Sequence, residues 1–382
     1  PILFLSIGAI AMVIGSNRPY GFYGFTSSIA IGGALFATLL LGYRLPATVV
    51  LSPWQTQNVF LHPLSLTIDK ASWYLALLLV VALICLLFNS LSEHFKISSQ
   101  ERAVCLMMVA LAFLAMFSDN LITLVLALIV LDLCSCLFAF VSKHVSYLSP
   151  DIKNNVQAPE IVRFGINVLT IGLVLLVALG DYTSVQTTSQ LLSNEHASML
   201  IVVAILRINI YPVNVGLVLS HTSSKVVVTF ISLVNLSVAV DILASFELHN
   251  YVVAFRSGFS MLAVISGLVG GYRWCTDTKY HERLHSLLLA QSSLTVLIFL
   301  WAGDWALVGV YSHMIAIVLS VMVLYVSDDL IRTDANKYIK PVLTFFVFGC
   351  QPLTSGFLGL FVLLSGLIDN WVWAVFVIPS II

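Results

Sequence analysis

The sequence predicts an all-α, polytopic membrane protein of about thirteen transmembrane helices, and three observations predict it. Hydrophobic residues make up 60% of the 382 positions and charged residues only 9%. The apolar residues come in continuous runs, such as 73–88 and 121–141, with none of the alternation a lipid-facing strand would show. Helices and closed barrels alone satisfy their backbone in hydrocarbon, and continuous runs choose helices. Finally, two of the spans are interrupted by proline at matching places, at Tyr211-Pro212 and Gln351-Pro352, with Arg207 just before the first break.

In chain order the spans fall near 2–15, 23–43, 73–89, 103–117, 121–141, 161–180, 198–219, 226–247, 251–272, 284–302, 305–326, 339–368 and 371–382. The chain opens at Pro1 without an initiator Met and its first run is short, so a preceding segment is expected. The penultimate span is long because Pro352 breaks it. Between the second and third spans, 44–72 carries Pro46, Pro53 and Pro63 among short β-branched runs, the pattern of a hairpin. No loop is long enough to fold alone, so 1–382 is a single membrane domain.

Alternating the loops between two sides divides the 17 basic residues as 13, 2 and 2. Thirteen, from Arg18 through Arg102 and Lys225 to Lys340, share one side; Arg44 and Lys70 keep the other; Arg207 and Arg256 lie in spans. The richly basic side is the cytoplasmic one. A missed helix would scramble this division, so the charge pattern supports the span count. Trp54, Trp73, Trp274, Trp301, Trp305, Trp371 and Trp373 cluster near span ends, as interfacial anchors do.

The chemistry on offer is sparse. There is no Gly-rich phosphate loop, no His-Glu-x-x-His and no nucleophile elbow, so catalysis by this chain alone is not expected. The six cysteines form no Cys-x-x-Cys pair and read as small hydrophobes, leaving no metal and no cofactor to expect. Broken helices in corresponding positions of two halves mark an ion pathway near the bilayer midplane, which makes transport the first hypothesis.

Five motifs in order then carry a resemblance. They are Ile68-Asp69-Lys70-Ala71-Ser72; Ser118-Asp119-Asn120-Leu121 running on to Leu133-Cys134-Ser135-Cys136-Leu137; Arg163-Phe164-Gly165-Ile166-Asn167; Arg207 through Pro212 to Asn214; and Gln351-Pro352-Leu353-Thr354-Ser355-Gly356-Phe357-Leu358-Gly359. Together, over about 65–365, the chain resembles the antiporter-like membrane subunits of respiratory complex I (NADH:quinone oxidoreductase) and of Mrp-type cation/proton antiporters. The resemblance implies two inverted five-helix repeats, about 103–247 and 251–382, each with a proline-broken helix. It also implies buried Lys, His and Glu that pass protons along the midplane. The membrane would be a bacterial cytoplasmic membrane or an organellar inner membrane. The partners would be other membrane subunits, lipid, and protons or sodium ions, with no nucleic acid.

Against that pattern the chain is degenerate. The glutamate of the fifth helix falls on Ile129, with Asp132 three residues on and on nearly the same face. The lysine of the seventh falls on Arg207, which stays charged at any ordinary pH. Beyond Tyr311-Ser312-His313 the lysine position is Ile317, and after Gly356-Phe357 the twelfth-helix lysine is Leu360.

The remaining ion-pathway candidates each carry two readings. Arg207 with Asp132 is a structural ion pair or a retained conduction element. Asp241 faces a water-filled cavity or bonds Ser237 or Asn235 on its own helix. His313 is a hydrogen-bonded core histidine or a proton shuttle. Lys225 snorkels to the interface or admits protons. Pro212 and Pro352 are inherited kinks or working breaks. Asp119 and Asp304 read as caps near span ends. Three functions follow. The chain is a membrane subunit of a complex I-like or Mrp-like assembly with a degenerate channel and a structural or coupling role. Alternatively it is an active proton or sodium carrier, or the membrane half of an energy-coupled inorganic-carbon uptake complex with a soluble zinc-dependent hydratase-like partner.

Overall fold

The computed structural model describes residues 1–15, 20–52, 64–89, 98–144, 150–181, 194–208, 210, 225–245, 256–276, 280–330 and 355–367. Its described residues are overwhelmingly helical, with one two-stranded sheet. Five helical stretches, Phe22–Arg44, Lys70–Leu87, Ser99–Met116, Leu284–Trp301 and Gly303–Val321, are long and apolar enough to cross a membrane. This is the length and composition a helical membrane protein requires. Pro212, Pro352 and the last expected span, 371–382, lie outside the described residues.

The chain separates into two compact units. The first holds α1 (Ile2–Ile14), α2 (Tyr20–Leu41), strands β1 (Ala47–Ser52) and β2 (Leu64–Ile68), most of α3 (Lys70–Asn89), and then α4 (Ser99–Met116), α5 (Leu121–His144), α6 (Pro150–Asp181), α7 (Asn194–Ile208) and α8 (Lys225–Ser245). Helix α4 is its centre, packing against α1, α5 and α8. It is buried on almost every side, from Ala103 and Leu106 through Met108 and Phe113 to Met116. A helix apolar all round needs such a central place, whereas α1 and α2 leave Ile7, Phe25 and Phe36 exposed for hydrocarbon.

Helix α4 begins earlier than its apolar run suggests, because a capping box starts it. The Glu101 amide donates to Ser98 Oγ at 3.2 Å and the Ser98 amide to Glu101 Oε2 at 2.9 Å. Arg102, expected in a cytoplasmic loop, therefore lies in the first turn of the helix and is 1% exposed. Helix α6 likewise starts at Pro150, well before the expected 161; proline suits the first turn, where its missing N–H bonds nothing.

The expected hairpin forms. Strands β1 and β2 run antiparallel from Ala47 opposite Ile68 to Val50 opposite Ser65, and a shift follows before Ser52 and Leu64. The hairpin is fastened to the turn between α4 and α5. The Thr67 amide donates to the Phe117 carbonyl at 2.7 Å and the Asp119 amide to that of Ser65 at 3.1 Å. The Asp119 carboxylate accepts the hydroxyls of Ser65 and Thr67, both at 2.8 Å. Asp119 is thus a clasp and not the cap of α5. That cap is Asn120, whose side-chain oxygen accepts the Thr123 amide at 2.8 Å. Asp69 caps α3 in the same way through the Ser72 amide, and Trp73 ties α3 to α2 by donating to the Thr38 carbonyl, both at 2.7 Å.

The second unit contains α9 (Arg256–Thr276), α10 (Tyr280–Trp301), α11 (Ala306–Leu330) and α12 (Ser355–Leu367), with a short 3-10 turn, Gly303–Trp305, between α10 and α11. Asp304 lies in that turn and is exposed. Helix α9 packs along α10, and α10, α11 and α12 pack on one another. Arg256 lies in the first described turn of α9. Its guanidinium lies 4.9 Å from the centre of the Trp301 ring, whose indole N–H donates to Ser260 Oγ at 2.8 Å. Helix α12 approaches its neighbours closely. A Cβ on Gly309 of α11 would stand 2.7 Å from Ile298 Cγ2 and 3.4 Å from Val362 Cγ1.

Gly309→Val is accordingly expected to cost about 1–3 kcal/mol through overpacking. Gly258→Ala, where a Cβ meets open space, is expected to change little. Thermal unfolding of the purified protein in detergent distinguishes the two.

Candidate functional site

Asp132 lies near the middle of α5, on the face that buries Val125, Leu128 and Leu131, while Leu126, Val130, Leu133 and Leu137 point outward. Arg207 occupies the last turn of α7, where the partial negative charge of the helix terminus favours a cation. Residues 75 apart in sequence meet here. Arg207 Nη2 donates to Asp132 Oδ2 at 2.6 Å and Nη1 to Oδ1 at 3.4 Å. The residues are 4% and 5% exposed. The fork of the guanidinium thus faces the fork of the carboxylate, the strongest geometry available to such a pair.

The two guanidinium N–H groups and the two carboxylate oxygens meet one to one. The Arg207 Nε is buried without a partner. Ile129, one turn earlier on α5, is half-buried hydrocarbon. The pair ties α5 to α7.

Asp241 is also in the first unit. It stands one turn before the end of α8 and is 4% exposed. Its expected partner Ser237 is otherwise engaged, since a helical serine hydroxyl reaches back four residues, and Ser237 donates to the Leu233 carbonyl at 3.0 Å. The same geometry one turn later brings Ser245 to Asp241 Oδ2, at 3.5 Å. Asp241 Oδ1 is buried without a partner.

His313 belongs to the second unit, on α11, and is 2% exposed. Its Nε2 lies 3.3 Å from the Gln291 carbonyl oxygen, so Nε2 carries the proton and donates; Nδ1 is buried and unpartnered. Ile317, one turn on, and Leu360 of α12 are buried hydrocarbon. Gly359 of α12 packs so close that a Cβ there would come within 3.2 Å of His313 Cβ. Lys225 opens α8, but its side chain is outside the described residues, as are Pro212 and Pro352.

The structure thus joins two of the sequence candidates, Asp132 and Arg207, and leaves Asp241 and His313 each in its own surroundings. Two residues escaped the sequence reading. Arg102 is wholly buried in α4, and the capping box at Ser98 and Glu101 was the signal that placed it inside a helix. Asp69 was read as part of a motif, but its proximity to Asp241 leaves no trace in sequence spacing.

No protein-family model matches the sequence, and no curated protein matches it. Solved structures do match in fold. A chain of respiratory complex I from Thermus thermophilus with bound aureothin aligns over 100% of this chain and 86% of its own length, at 15% identity and a TM-score of 0.71. A chain of respiratory complex I from Thermus thermophilus with bound NADH gives 100% and 84%, at 12% identity and 0.74. The membrane-bound sulfane sulfur reductase, an archaeal respiratory membrane complex, supplies a third chain, with 97% and 68% covered, 14% identity and 0.67. The fold is that of chains in respiratory membrane complexes, as the motif resemblance implied.

Removing either partner of the buried pair strands a charge, so Asp132→Leu and Arg207→Met are each expected to cost about 3–5 kcal/mol, whereas the double variant Asp132→Leu with Arg207→Met should lie close to the starting protein. Denaturation of the three variants in detergent forms the cycle that checks it.

Proposed function

We propose that this chain is a membrane subunit of a complex I-like or Mrp-like proton-translocating assembly, one whose own proton channel is degenerate and whose role is structural and coupling. In this reading it spans the membrane about thirteen times, with inverted repeats at about 103–247 and 251–382, in a bacterial cytoplasmic membrane or an organellar inner membrane. Its partners are neighbouring membrane subunits. The likeness in fold to chains of respiratory membrane complexes supports the assembly.

One observation carries the degenerate channel. Where the resemblance implies a titratable glutamate and lysine, the chain has a doubly hydrogen-bonded Asp132–Arg207 pair buried at 2.6 Å. A relay needs groups that take up and release protons, and a guanidinium satisfied by a carboxylate does neither. The apolar residues at Ile129, Ile317 and Leu360 support the same reading, because water entering between them would find few polar partners. The buried Asp241 and His313 favour the second reading, an active proton or sodium carrier, since ionisable groups within a membrane are commonly functional.

Reconstitution of the native assembly into proteoliposomes separates the two. With the double replacement Asp132→Leu and Arg207→Met, proton flux per assembled complex is expected to stay at its starting level. Loss of flux from a complex that still assembles overturns the proposal and assigns the pair to the path. Identification of the co-purifying chains tests the assembly itself: respiratory membrane subunits support it, whereas a zinc-dependent hydratase-like partner would move the chain to inorganic-carbon uptake.

A further inference from the structure

We propose that Arg256 anchors the headgroup of a bound anionic phospholipid, at the end of the second unit where the first described turn of α9 meets the close of α10. The inference rests on the chain lying in a membrane. It does not rest on the state of the channel or on the identity of the assembly.

The level of the site follows from the turn beside it. Leu284–Trp301 and Gly303–Val321 are each long and apolar enough to cross a membrane, and between them the chain turns through Gly303–Trp305, where Gly303 takes a φ of +55°. Irregular backbone is not left exposed to hydrocarbon, so this exposed turn stands at the membrane surface. Trp301 comes just before it, and Trp305 within it is 64% exposed, as interfacial tryptophans are. The stack on the Trp301 ring, 4.9 Å to its centre, holds Arg256 at the same level. The ring is itself fixed. Its indole N–H donates to Ser260 Oγ, and the Ser260 hydroxyl donates to the Arg256 carbonyl at 2.6 Å, so one turn of α9 orients both the tryptophan and the arginine.

The guanidinium lacks an anion. No carboxylate among the described residues pairs with it, and its Nε is buried without a partner. The other charged residue of α9 is Arg273, in the last turn. Glu282 of α10 and Asp328 and Asp329 of α11 lie at the ends of their helices away from the Gly303–Trp305 turn, and α12 carries no charge. Asp304, in that turn, is exposed and makes no ion pair with Arg256. A guanidinium lying flat on an indole keeps its N–H edge for an acceptor in its own plane, and a phosphate diester offers two such oxygens. Net charge then selects the lipid: a zwitterionic headgroup would bring its own cation to the arginine, whereas an anionic one cancels the charge. The acyl chain also has a place. Ser257, Met261 and Leu268 are exposed along one flank of α9, starting next to Arg256 and running toward the membrane interior.

Photolabelling of the native assembly in phosphatidylcholine vesicles tests the site, with a trace of phosphatidylglycerol bearing a diazirine in its acyl chain as the probe. Mass spectrometry compares labelled peptides of α9 with those of α2, whose exposed Phe25 and Phe36 report general lipid contact. Label on α9 is expected to exceed that on α2 severalfold, to fall to the α2 level with excess unlabelled phosphatidylglycerol, and to persist against inorganic phosphate. Arg256→Gln is expected to abolish the excess and Arg256→Lys to retain part of it. Equal labelling of α9 and α2 in the unaltered protein overturns the site, as does an excess that survives in Arg256→Gln or that a phosphatidylcholine probe reproduces. Displacement by inorganic phosphate overturns the lipid in favour of a free anion. The competition arms use the unaltered protein, so they decide the matter even where a variant fails to assemble. Proton flux and co-purifying chains play no part in this readout, which keeps its outcome separate from that of the reconstitution experiment.

Discussion

The cost of a charge in a low-dielectric interior governs this protein. A chain with so few ionisable residues, folded for hydrocarbon, must supply each buried charge with an answer at hydrogen-bonding distance or leave it neutral. The Asp132–Arg207 pair is the plainest answer, two charges cancelled by two parallel hydrogen bonds across helices α5 and α7. The same rule shapes the other polar groups. Arg256 rests on the face of Trp301, His313 gives its proton to a backbone carbonyl of the neighbouring helix, and the Asp119 oxygens are filled by hydroxyls. Such pairings explain how a helix can carry a charged residue at mid-length while staying packed on its apolar neighbours.

This constraint also separates the fold from the activity of its resemblances. Ile317 and Leu360 are buried hydrocarbon, and the packing of apolar helices makes no demand for a charge at either position. A chain can therefore keep the fold of a respiratory membrane subunit at 12–15% identity while its polar interior follows a different plan. Asp132 illustrates this: one turn from the position where the resemblance implied a glutamate, it meets Arg207 in a forked ion pair between α5 and α7.

Much of the fold was legible in the sequence because hydrophobic run length is a direct readout of the solvent. The positions of α2, α3, α5, α8, α10 and α11 follow from uninterrupted apolar stretches, and the hairpin from its prolines and β-branched runs. Helix starts were less legible where a polar first turn precedes the apolar run. At α4 the signal lay in the capping pair Ser98 and Glu101, and missing it left Arg102 in a loop. Of the site, the Asp132–Arg207 partnership could be inferred because each residue was an isolated charge in an apolar span. The partner of Asp241 could not be, since the identity of the bonding serine on α8 depends on which hydroxyls are already spent on backbone carbonyls.

The clasp at Asp119 has a mechanical side. Helix α5 starts immediately after it, capped by Asn120, and a helix is far stiffer along its axis than the turns that flank it. Asp132 lies eleven residues beyond the first residue of that rod, about 16.5 Å from its start at 1.5 Å per residue. The hairpin and the salt link are thus moored to one continuous helix, the first at its threshold and the second at mid-length.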